Sequence, residues 1–167
     1  DVTVRRFPSI AVRLRRGVFW YYLEEIPQPP PIQEEKSCPL AHAPFHEVRR
    51  CAFRVLVYRH RIAVEFFHAL TDGTGGLIFL KTLLAEYLTQ KYGVAIPAEY
   101  GVLGRLEEPS PEELEDSFLR YAGDVKASRK ESTAYHLSGT PERDGYKNLI
   151  TMMLPADQVR ICARAHG

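Results

Sequence analysis

The densest chemistry in the chain is the run FFHALTDGTGG, residues 66–76. It holds an imidazole, His68, then a carboxylate four residues later, Asp72, then Gly73. An unperturbed imidazole titrates near about pH 6.5, so His68 can take a proton as a general base at neutral pH. A His at the carboxyl end of a strand can be aimed into a cleft with little freedom. Asp72 and Gly73 supply a sharp turn back into a helix; Asp72 can also cap that helix and pair with an arginine. The same residues suit a plainer role. His68 is in phase with Ile62, Val64 and Phe66 and can be a buried, satisfied histidine, and Asp-Gly before a helix is ordinary turn chemistry.

Other groups carry less. Cys38, His42 and His46 are spaced by four, as metal ligands on one helix face would be, but Pro39 and Pro44 break such a helix, so no metal site is expected. The GTGG run at 73–76 opens a helix, and helix N-termini attract anions. No Lys-Ser or Lys-Thr follows, so it reads as a turn rather than a nucleotide phosphate loop. Residues 107–116 hold six acids and no base, the pattern of a solvated helix start. Arg5, Arg6, Arg13, Arg15 and Arg16 read as a wet strand face, with contact to a coenzyme A phosphate or an acidic carrier protein as the minor alternative.

These residues must be positioned by the elements around them. Residues 11–16 alternate Val12 and Leu14 against Arg13 and Arg15, a strand with one wet face. Gly17 marks a turn, and VFWYYL at 18–23 predicts a second strand and a hairpin. The prolines at 27 and 29–31 make residues 26–46 an irregular excursion. Residues 48–58 predict a long strand with Cys51, Phe53, Val55 and Val57 on one face, and 62–67 its partner across a polar turn at 59–61. A helix then runs to about Lys91, with Leu77, Leu80, Leu84, Tyr87 and Leu88 as its apolar stripe and Gly93 as its stop. Residues 94–109 read as loop. A second helix starts with Ser110 as N-cap, Pro111 at N1 and Glu113 closing a capping box, with Leu114, Phe118 and Tyr121 on its narrow apolar side. Residues 123–145 are a polar connection, 146–154 a strand, and Pro155 and Asp157 open a last helix bearing Val159, Cys162 and Ala163. The element order predicts an α/β or α+β two-layer sandwich, its mixed sheet mostly antiparallel and helices packed on it.

Composition bounds the rest. With 167 residues, 45% hydrophobic and 26% charged, the chain can bury a core and is neither disordered nor fibrous. A net charge of +1 gives no overall field for nucleic acid. The charge is uneven: residues 1–61 carry 11 basic and 6 acidic groups (+5), residues 62–167 carry 11 and 15 (−4). Three cysteines, Cys38, Cys51 and Cys162, fit reduced thiols in a cytoplasmic protein better than a disulfide scaffold. No apolar run approaches the ~20 residues of a membrane helix, and the opening residues do not read as a signal peptide.

The stretch at 67–73 resembles the HHxxxDG motif of acyltransferases with the chloramphenicol-acetyltransferase fold. These include peptide-synthetase condensation domains, alcohol acetyltransferases and polyketide-associated acyltransferases. Phe67 stands where the motif has its first His, His68 is the second, and Asp72 and Gly73 match. The order of strand, motif and amphipathic helix is also similar, as are RRFPSIAVRLRR at 5–16 and VFWYYL at 18–23. The resemblance implies that His68 is the catalytic base. It would take a proton from a small-molecule alcohol or amine acceptor as that group attacks the thioester of an acyl-CoA or acyl carrier protein. It implies no permanently bound cofactor and no metal. It makes Asp72 and Gly73 structural, with Asp72 paired to an arginine, Arg6 first and Arg13 second. Since the first His is often replaced in the alcohol acetyltransferase branch, Phe67 points to O-acyl transfer more than to a condensation domain. Phe67 also fits a catalytically silent docking module of the same fold.

Members of the family are built from two similar halves with the active site between them. The resemblance implies that residues 1–154 are the N-terminal half and 155–167 the truncated start of the second. The family's Gly-rich Asp-Phe-Gly-like second motif is not in this sequence. The expectation is therefore an acyltransferase fragment, inactive alone, whose partner is the missing C-terminal half.

Overall fold

Alternating residues build the first hairpin. In the computed structural model, which describes residues 1–35, 44–115, 120–121, 136, 138–139 and 152–166, the chain divides into two compact units. The first covers Asp1–Ser37 and His42–Glu131, the second Cys38–Ala41 and Ser132–Gly167. In the first unit a short helix α1 (Val2–Arg6) leads into strand β1 (Val12–Arg16), which pairs antiparallel with β2 (Tyr21–Glu25). Val12 and Leu14 point inward and are buried, while the arginines between and after them stay at the surface. The second strand starts later than the residue types predict. Residues 18–20 form the hairpin's end instead, because Gly17 N–H donates to the Trp20 carbonyl at 2.7 Å and closes a tight turn.

The second sheet has three strands in the order β3 (Gln33–Glu34), β4 (Phe53–Tyr58), β5 (Arg61–Phe66). β4 and β5 form an antiparallel hairpin with Phe53 opposite Phe66, and Arg59 adopts a left-handed conformation (φ 51°) in its turn. β3 adds a two-residue parallel ladder to β4 inside the stretch expected to be irregular. The chain before β4 is not strand: Phe45–Val48 form a single helical turn, α2, which buries Val48 against Val12, Leu14 and Ala52.

The helix α3 (Gly73–Tyr92) is the largest element, ended as expected by Gly93 in the left-handed region (φ 67°). Its buried face differs from the leucine stripe. Phe79, Thr82 and Ala85 are buried, while Leu77, Tyr87 and Leu88 are exposed. The Phe79 ring meets Phe7, Phe53 and Phe66 edge-on at centroid distances of 5.1, 5.4 and 5.4 Å, and this contact chooses the face. Burying each such ring is worth about 1.5–3 kcal/mol, and the edge-on geometry adds to it. Thr82 lowers its polar cost by donating to Ile78 O (2.9 Å) and accepting from Leu103 N–H (3.1 Å), which ties the loop after α3 to the helix.

The next helix, α4 (Pro111–Leu114), is one turn long. Ser110 has extended N-cap geometry but its hydroxyl makes no capping bond, and the Glu113 carboxylate turns to Arg6 instead of closing a capping box. Phe118 lies outside the described residues, as do 122–135 and 140–151, so the strand expected at 146–154 falls largely among them. In the second unit, α5 (Ala156–His166) begins where Pro155 and Asp157 place it, and none of its residues is buried. The chain is α+β, with five described strands in two mostly antiparallel sheets. Among the described residues no helix is long and apolar enough to cross a membrane.

Candidate functional site

The site is built where β5 ends and α3 begins. β5 is anchored by Phe66, whose ring lies against Phe53 and Phe79. The chain then leaves the sheet: Phe67 N–H donates to Ala52 O at 2.8 Å, and Leu70 N–H to Phe67 O at 2.9 Å, closing a turn over residues 67–70. Leu70 packs onto both apolar clusters of the unit and pins the turn down. His68 therefore stands on a short, well-tethered loop. It is exposed, which removes the reading of a buried, satisfied core histidine.

The His68 ring is oriented by the backbone. Its Nδ1 lies 3.0 Å from the Thr71 carbonyl oxygen. A carbonyl only accepts, so this contact requires the proton on Nδ1, and in the neutral ring it leaves the lone pair on Nε2. Thr71 is the residue that sequence reasoning missed. Its contribution is a main-chain oxygen, for which no side-chain pattern gives a signal.

Asp72 is the N-cap of α3. Its backbone is extended, and its Oδ1 accepts from Gly75 N–H at 2.8 Å while its carbonyl accepts from Gly76 N–H at 3.0 Å. The expected arginine partner is not there. Arg6, only 5% exposed, is held by Glu113 through both terminal nitrogens, with Nη2–Oε1 at 2.9 Å, and its Nε donates to Gly104 O at 3.1 Å. Arg13 donates to Glu24 Oε2 at 2.6 Å across the first hairpin. Among the described residues no cation pairs with Asp72. The physical reason is that the Gly75 N–H at the start of α3 takes the carboxylate, while Arg6 and Arg13 each meet a glutamate instead. The Arg6 guanidinium in turn holds the Glu113 carboxyl below its ordinary range, chiefly through their hydrogen bonds.

The glycines divide the work differently from the expected turn. Gly73 is the first residue of α3, and a side chain there would meet nothing within 4 Å. Gly75 and Gly76 are the constrained pair. A Cβ on Gly75 would collide with the Thr71 hydroxyl, and one on Gly76 would stand 3.2 Å from the Phe66 ring. The start of α3 thus packs tightly against the loop that carries His68.

His68 and Asp72 line a concave pocket of about 390 Å³. Its other walls are mostly apolar: Val64 and Phe66 from β5, Leu77 and Leu80 from α3. Two of the leucines expected in the core therefore face this pocket. The arrangement offers one oriented proton acceptor beside an apolar surface, open to solvent. Of the weaker groups, Cys38 and His42 lie outside the described residues, and His46 is an exposed residue of α2. Comparison of the chain with protein-family models, curated proteins and solved structures finds no match.

Proposed function

We propose that this chain carries the proton-accepting side of an acyl-transfer site, with His68 as general base. The reading rests on one observation above the others: the Thr71 carbonyl holds Nδ1 as the donor and so presents Nε2 as the acceptor. The resemblance of residues 67–73 to the HHxxxDG motif supplies the reaction class.

In this scheme Nε2 takes the proton of an alcohol or amine acceptor as its oxygen or nitrogen bonds to the carbonyl carbon of a thioester. The tetrahedral intermediate collapses, the carbon–sulfur bond breaks, and the leaving thiolate recovers the proton from the imidazolium. The donor is an acyl-CoA or an acyl carrier protein thioester. The apolar walls beside His68 suit an alkyl chain on one of the two reactants. Asp72 is a positioning residue here: it caps α3 and holds the loop between helix and base.

The test is thiol release from acetyl-CoA, with a panel of small alcohols and amines, by the protein expressed from its complete reading frame. His68→Ala is expected to lower turnover by about 10²–10⁴-fold, the worth of a placed base, at an unchanged melting temperature. Full turnover in that variant overturns the assignment. A second reading, a silent docking module of the same fold, is favoured by Phe67 in the place of the motif's first His. It requires that no thioester be consumed and that His68→Ala leave partner affinity intact.

A further inference from the structure

The first hairpin ends against the usual rule for such turns. Gly17 and Trp20 close it, which places Val18 and Phe19 at its two-residue tip. Tight hairpin tips favour Asn, Asp and Gly. Here the tip is apolar and solvent-facing: Val18 is 79% exposed, Phe19 89% and Trp20 63%. The exposure continues through Tyr21, Tyr22 and Leu23, six large hydrophobic residues in succession. Local rules are broken mostly where function requires it, and a continuous exposed apolar patch marks a contact surface.

The order of residue types along the hairpin indicates what the contact is. The tip is aliphatic and aromatic. The closing rung carries the single tryptophan of the chain, Trp20. The two rungs below pair Arg16 with Tyr21 and Arg15 with Tyr22. Arg15 and Arg16 are both exposed. Arg15 shares Glu24 with Arg13, whereas among the described residues no carboxylate pairs with Arg16. The zoning runs from apolar to indole to phenol-plus-guanidinium along the hairpin axis, not across one face. A bilayer surface is graded along its normal in the same order, from acyl chains to the carbonyl level to anionic phosphates. At about 3.4 Å per residue, the tip reaches roughly 7 Å beyond the Arg16–Tyr21 rung, matching the ~5–10 Å depth of interfacial insertion. Over the hairpin, Arg13, Arg15 and Arg16 stand against Glu24 and Glu25, and the exposed Arg16 beside the tip supplies the charge complementarity.

We infer that this hairpin docks the protein reversibly on an anionic lipid surface, with Val18, Phe19 and Trp20 inserted and Arg16 at the phosphates. The inference is independent of the acyl-transfer reading. Trp20, as the sole tryptophan, reports it directly. Titration with phosphatidylcholine vesicles carrying about 30 mol % phosphatidylglycerol should shift its emission to the blue, protect it from acrylamide, and sediment the protein with the vesicles. Pure phosphatidylcholine should do so far more weakly, and about 0.5 M salt should reverse most of the binding. Val18→Ser with Phe19→Ser should lower the partition at least about tenfold, and Arg16→Ala about fivefold. Both variants change exposed side chains and should keep the wild-type melting temperature. If the double variant melts lower, the acrylamide result on the wild type decides alone. No sedimentation with anionic vesicles, an unprotected Trp20, or unchanged binding in a stably folded double variant overturns the proposal. So does a blue shift that grows with protein concentration without lipid, which would put a second copy on the tip.

Discussion

At the scale of single residues, Asp72 acts through geometry more than charge. Its oxygen caps α3 by accepting from Gly75 N–H, and an amide oxygen can do the same. Asp72→Asn should therefore melt close to wild type, whereas Asp72→Ala should lose about 1 kcal/mol in urea unfolding. An arginine-paired Asp72 would have made both costly. The glycines give the complementary prediction. Gly73→Ala meets open space and should be tolerated, while Gly75→Ala displaces Thr71 and should cost about 1–3 kcal/mol with a loss of any His68-dependent turnover. His68, Asp72 and the following helix were legible in the sequence because strand alternation and the Asp-Gly step are local signals. The partner of Arg6 was not, since nothing local links it to a glutamate 107 residues away. The orienting Thr71 carbonyl was not either, because every residue type carries one.

At the scale of elements, a periodicity of two predicts this chain more closely than a periodicity of 3.6 does. β1 and β5 fall within a residue of their expected spans, since each alternates cleanly beside a turn. β2 starts at Tyr21 rather than at 18 because the β-forming residues 18–20 occupy the turn. In α3 the leucine stripe is not the packing face. That face contains Thr82 and Ala85, which carry little hydropathy, and is set by the single ring of Phe79. Leu77 and Leu80 are left to line the pocket beside His68. The short elements α2 and β3 exist through tertiary contacts and backbone pairing, and leave no periodic trace in so few residues.

At the scale of the first unit, the Arg6–Glu113 pair fastens α1 to α4, and its pH dependence has a definite sign. Glu113 sits below its ordinary value of 4.5 because it accepts hydrogen bonds from Arg6. Its contribution to stability is complete above that value and is lost as pH falls through the lower value of the folded state. Melting temperature measured downward from pH 5 should fall less steeply for Glu113→Gln than for the wild type. Parallel curves would mean that the pair carries no net coupling. The same pair orders events during synthesis. Arg6 and Glu113 are separated by 107 residues, which at about 5–20 residues per second leaves the emerging guanidinium without its partner for roughly 5–20 s. Until then α1 lacks its ionic tie to α4 and is held by its apolar packing alone, Val4 and Phe7 in the cluster around Phe79.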